Sequence, residues 1–186
     1  MTYTLPIILL LLLPAVLPAQ LIPFSLKTPV MFTIPDQGTG ASENLLEIAD
    51  MDGDGKIDIV AADGFRGDIY VFRNTHSGGG ISSGSFASRI DLDFATTFYI
   101  SGTALADMDG DGRTDILFSN RTTPCNNNSF GVIRNNSSPG SLGASDFGAP
   151  VFFETGGCQS DITVADIDGD DKMDVIVVAP FSVSVL

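Results

Sequence analysis

Aspartates at positions 1, 3, 5 and 9 of a nine-residue stretch occur three times in this chain: DMDGDGKID (50–58), DMDGDGRTD (107–115) and DIDGDDKMD (166–174). These stretches hold 13 of the 23 acidic residues, too much like charge for loops that nothing neutralises. In a tight loop the four carboxylates can converge on one centre, with the carbonyl of position 7 completing the set. The first set is Asp50, Asp52, Asp54, Asp58 and the Lys56 carbonyl. The second is Asp107, Asp109, Asp111, Asp115 and the Arg113 carbonyl; the third is Asp166, Asp168, Asp170, Asp174 and the Lys172 carbonyl. Hard oxygen donors without His or Cys select Ca²⁺ over zinc or copper, and Mg²⁺ keeps too many waters for an all-protein cage. Three Ca²⁺ sites are therefore expected. A metal-free Asp/Gly turn is the plainer alternative for one copy, but all four aspartates recur in every copy. Catalysis by paired carboxylates needs two acids in unlike environments, and these sets are equivalent.

An EF-hand starts in the same way, yet it requires a bidentate Glu at position 12 and helices on both sides. Position 12 is Ala61, Phe118 and Val177 here. Position 6 is Gly55 and Gly112, where the backbone must turn back through positive φ. In the third loop it is Asp171, a residue that tolerates the left-handed region better than most and predicts a competent, weaker site.

The elements that position these loops repeat with them. The first aspartates lie 57 and 59 residues apart, so each copy belongs to a unit of just under 60 residues. NLLEIAD, GTALAD and DITVAD precede the loops, and KIDIVAAD, RTDILFSN and KMDVIVVAP follow them. Farther on, GDIYVFRN (67–74) matches FGVIRN (130–135) and SVSVL (182–186). ASRIDLDF and APVFFET supply a fourth segment, and TPVMFT (28–33) resembles that fourth segment with no unit ahead of it. Short β-branched and aromatic runs bounded by Gly, Asn, Ser or Pro read as strands. No segment carries a 3.6-residue apolar period, so helix content should be minimal. Four strands per repeat of this length predict an all-β chain of β-propeller blades, each a four-stranded antiparallel sheet. Propellers close with four to eight blades; about three are present, and the expectation is a partial ring belonging to a longer protein.

The remaining features bound the setting. A net charge of −14 argues against nucleic acid or an anionic membrane surface as partner. An apolar run from Leu5 to Leu17 followed by Ala19 reads as a signal peptide over 1–19, with the partial propeller over 20–186. The rival reading, an uncleaved anchor reaching Leu26, is interrupted by Pro6, Pro14, Pro18 and Pro23. No membrane insertion of the mature chain is expected. Export would favour pairing of the two cysteines. In the four-strand scheme Cys125, between strands two and three, and Cys158, between blades, fall on one face, which permits a Cys125–Cys158 disulfide. His76, in NTHSGGG, reads as a solvated turn residue.

D-x-D-G-D-G-x-x-D followed by an apolar strand, in triplicate, resembles the FG-GAP and VCBS-type repeats of extracellular β-propellers, related in their calcium hairpins to the integrin α-subunit head. The resemblance covers roughly 28–186. VAP at 178–180 matches the end of the GAP element, whereas no FG element precedes strand one and FGAP at 147–150 lies before strand four. What it implies is a ring of seven blades and a secreted or cell-surface, calcium-binding scaffold. Such a scaffold would bind an extracellular protein or glycan and have no catalytic residues of its own. The alternative it leaves open is a propeller part of a larger secreted lyase or hydrolase whose active site lies elsewhere.

Overall fold

In the computed structural model, residues 29–34, 44–94, 99–121 and 129–186 are described. The segment 1–19 and Cys125 lie outside the described residues, and with Cys125 the expected disulfide does too. Three antiparallel sheets follow one another along the chain. The first is β1 (Asn44–Ala49), β2 (Asp58–Asp63), β3 (Asp68–Phe72) and β4 (Ile90–Leu92). The second is β5 (Tyr99–Ala106), β6 (Asp115–Arg121), β7 (Ser129–Ile133) and β8 (Val151–Glu154). The third is β9 (Asp161–Ala165), β10 (Asp174–Ala179) and β11 (Ser182–Val185). Strands neighbour in chain order within each sheet, as consecutive hairpins must. A 3₁₀ turn at Ala144–Asp146 is the only helical element among the described residues, so no described helix could cross a membrane.

Each sheet opens with a hairpin whose loop is an acidic nonapeptide. The closing pairs are Ala49↔Asp58, Ala106↔Asp115 and Ala165↔Asp174. The period-2 alternation of the second strands then sorts side chains between sheets. On β2, Val60 and Ala62 face the second sheet and meet Ile100, Ile116, Phe118 and Ile133 in one buried cluster. On β6 the intervening Leu117 faces the other way and joins Ala104, Phe130, Ile162, Val175 and Val177 against the third sheet. Burial of each such side chain contributes about 1.5–3 kcal/mol, which holds the sheets face to face with β1 against β5 and β5 against β9.

Two glycines make this packing fit. Gly131 lies directly opposite Phe118 in the β6–β7 register, and a Cβ there would collide with the Phe118 ring. That ring in turn meets Phe152 edge-on at 5.9 Å. Gly102 sits at an irregularity in the β5–β6 pairing, where a Cβ would fall 2.7 Å from the Ile162 nitrogen on β9.

The expectation of a strand at TPVMFT is corrected: residues 29–34 belong to no strand. Phe32 packs its ring against Phe72 (5.8 Å) and Phe86 (4.9 Å), and Ile34 joins the same cluster over Ala61 and Tyr70. The Thr33 carbonyl accepts a hydrogen bond from Arg89. This segment therefore covers the face of the first sheet turned away from the second. Its apolar residues find a sheet face to cover, and no strand edge among the described residues pairs with it.

Candidate metal centres

Each acidic loop wraps its backbone around the position-1 carboxylate. Asp50 accepts hydrogen bonds from the Asp54 and Gly55 amides, Asp107 from Gly110, Asp111 and Gly112, and Asp166 from Gly169, Asp170 and Asp171. Bringing those N–H groups inward requires positive φ at position 6: Gly55 at 85°, Gly112 at 82° and Asp171 at 66°. Asp171 is the one non-glycine residue with positive φ among those described, at the place where the sequence substitutes Asp for Gly. Aspartate is one of few side chains that visits this region at modest cost.

The position-9 carboxylates staple the hairpins shut. Asp58, 0% exposed, accepts the Met51 amide at 2.9 Å and the Asn74 amide at 2.7 Å. Asp115, 1% exposed, accepts the Met108 amide at 3.1 Å and the Asn135 amide at 2.8 Å. Burial pushes both carboxyls above the ordinary aspartate range, against the lowering effect of those amides. Asp174 is half-buried and accepts the Ile167 amide at 2.8 Å.

Carboxylate oxygens of Asp50, Asp52 and Asp58 lie within 4.8 Å of one another; so do those of Asp107, Asp109 and Asp115, and those of Asp166, Asp168 and Asp174. Three-oxygen groups of this kind, with no His or Cys, suit a hard divalent cation such as calcium. The position-5 aspartates stand apart from these groups. Asp54 is held 2.7 Å from Lys56 Nζ, Asp111 is paired with Arg113, and Asp170 is 2.7 Å from Lys172 Nζ. The Lys56 hydrogen bond holds the Asp54 carboxyl below its usual range. Position 7 thus offers a side-chain cation in every loop as well as the carbonyl for which the sequence singled it out.

Sequence reasoning missed the Arg-Asn pair that ends strand three. Arg73 pairs with Asp52 through Nε and lies 3.5 Å from Asp54. Arg134 pairs with Asp109 at 2.6 Å and Asp111 at 3.0 Å in the same way. The asparagines donate from the backbone to position 9 and from the side chain to the position-8 carbonyl, Asn74 to Ile57 (2.9 Å) and Asn135 to Thr114 (3.0 Å). Recurrence of Arg-Asn after GDIYVF and FGVI was the available signal. Its meaning depended on the β2–β3 and β6–β7 registers, which bring the end of strand three beside the start of strand two. His76, expected as solvated, is half-buried, with Nδ1 at 3.2 Å from Ser85 Oγ.

No curated protein matches the chain. Residues 50–118, from the first acidic loop through the second and into β6, match the model of the FG-GAP-like repeat, and this match supports an FG-GAP-type repeat protein.

Proposed function

We propose that the three carboxylate groups bind Ca²⁺ and that the three sheets are successive blades of a β-propeller serving as a secreted or cell-surface binding scaffold. The observation that carries this reading is equivalence: the same three-carboxylate group sits on the first hairpin of every sheet. A reaction centre would differ from its neighbours, whereas a structural ion recurs with the structural unit. Calcium at each loop would neutralise like charges held within a few ångströms of one another. Extracellular calcium modules bind with Kd of about 10⁻⁴–10⁻³ M, so millimolar calcium contributes on the order of 1 kcal/mol per site.

In this reading the chain carries no reaction of its own, and its partner is an extracellular protein or glycan held by the connecting loops. The step from fold to display rests on the family resemblance. Excess EGTA is expected to lower the melting temperature, and calcium to restore it. An unchanged melt would overturn the calcium assignment.

A further inference from the structure

We infer that Asn135 is a positioning residue shared by the first two loops, and that it makes calcium binding at these loops positively coupled while the third binds independently. The inference rests on the calcium assignment. Asn135 is 0% exposed and touches both loops at once. Its amide nitrogen donates to Asp115 Oδ1 at 2.8 Å, and its side-chain Nδ2 donates to the Thr114 carbonyl at 3.0 Å, both in loop two. The same Nδ2 donates to the Met51 carbonyl in loop one at 2.7 Å. Asn74, its counterpart in the first unit, donates from Nδ2 to its own loop, at the Ile57 carbonyl.

The residues after Asn135 extend the bridge. Ser137 Oγ donates to the Met51 carbonyl at 3.1 Å, while the Ser137 carbonyl accepts from Arg113 Nε of loop two at 2.9 Å. The Gly140 amide donates to the Asp52 carbonyl at 2.9 Å, and the Gly140 carbonyl accepts from Arg73, which also holds the Asp52 carboxylate. Asp52 in loop one and Asp115 in loop two, both candidate ligands, are thus fastened to one six-residue segment. The loops face each other across a cavity of about 220 Å³ lined by Asp50, Asp52, Asp111, Arg113 and Ser137.

An ion at loop two fixes Asp115, and with it Asn135 and the Met51 carbonyl beside Asp52. The ordering cost of the shared segment is then met once, by whichever ion arrives first, and the second binds more tightly. Loop three has no such bridge among the described residues.

Calorimetric titration of calcium into the chelator-stripped full chain tests this. Asp168→Asn disables site three, and adding Asp109→Asn then isolates site one. Coupling predicts that Asp109→Asn weakens site one about 5-fold or more, and that Asp168→Asn by itself leaves sites one and two unchanged. Ser137→Ala, which removes one donor to Met51 and spares the buried Asn135, should shrink the effect of Asp109→Asn; Asn74→Ala should not. Sites that bind calcium with constants indifferent to Asp109→Asn would overturn the coupling alone. Absence of calcium binding at every loop would overturn the calcium assignment and the coupling together.

Discussion

Loop one and loop three have nearly the same sequence and very different surroundings. In loop one, Asp52 and Asp58 are buried, whereas Asp166 and Asp168 of loop three are exposed and Asp174 is half-buried. Loop two lies between the extremes, with Asp115 buried and Asp109 exposed. Two structural donors account for the gradation. Position 9 is covered by the Arg-Asn turn of its own unit, which loops one and two have as Asn74 and Asn135. Position 3 is covered in loop one by the strand 3–4 connection of the following unit, through Gly140 together with its own Arg73; among the described residues loops two and three show no such cover. The acidic motif therefore supplies a loop, and neighbouring units decide how dry that loop is.

The sharpest way to break this comparison is to remove the staple. Asp115→Asn leaves one buried side-chain oxygen for two amides and turns an NH2 toward the other, and a cost of about 3 kcal/mol is expected from denaturant unfolding, against about 1 kcal/mol for Asp174→Asn. Equal costs would mean that burial of position 9 contributes nothing. Next in size is the roof over loop one. Measured in EGTA, Arg73→Gln should cost about 2 kcal/mol, because it leaves the buried Asp52 carboxylate without its partner. Arg134→Gln, whose partners are solvated, should cost less than about 0.5 kcal/mol. Similar losses from the two would erase the distinction between roofed and open loops.

Backbone strain sharpens the contrast from the other side. Asp171→Gly relieves a positive φ and should stabilise loop three by about 1 kcal/mol, while Gly112→Asp should cost loop two about the same. A destabilising Asp171→Gly would show that the Asp171 side chain has a role the φ value does not capture.

The smallest effect at neutral pH comes from the raised carboxyls of Asp58 and Asp115, whose shift has burial as its main cause. In the folded chain each keeps its proton at a pH where the unfolded chain has lost it. In EGTA the stability they contribute is therefore fully present below the ordinary value of 3.8 and is lost as pH rises through the raised folded values. Under the proposed calcium assignment the sign reverses, since the ion would bind the ionised carboxylate. Affinity at the first two loops should fall about tenfold per pH unit once pH drops below those raised values. Calcium titrations at stepped pH would check it, and a flat profile into the ordinary carboxylate range would remove burial as the cause.

Much of this architecture was legible in the residues. The alternation in DIVAAD and DILFSNR gave strands and their two faces, and the Asp spacing gave hairpin loops; four carboxylates were expected to converge in each, and those of positions 1, 3 and 9 gather while position 5 pairs with a cation. Asp171 was marked in advance as the residue that must take a left-handed conformation. TPVMFT read falsely as a strand because a β-rich, apolar hexapeptide satisfies local propensity whether it pairs with an edge or merely covers a face. The fourth strand of the first unit is short for a related reason. Only Ile90–Leu92 pairs, since the preceding residues are drawn into a turn in which Asn74 and Phe86 form an isolated bridge.

What the sequence by itself determined is the repeating unit: strand, acidic loop, strand, and the donor chemistry of each loop, because these depend on spacing within about ten residues. Only the tertiary structure decided which carboxylates are dry, that Arg73 and Arg134 reach back to the loops, and that Asn135 lies between two of them. Met51 and Asn135 are 84 residues apart, and their 2.7 Å hydrogen bond exists because two sheets pack face to face. No local pattern records a contact of that range; it follows from the burial of Val60, Ile116 and Phe118 in one core.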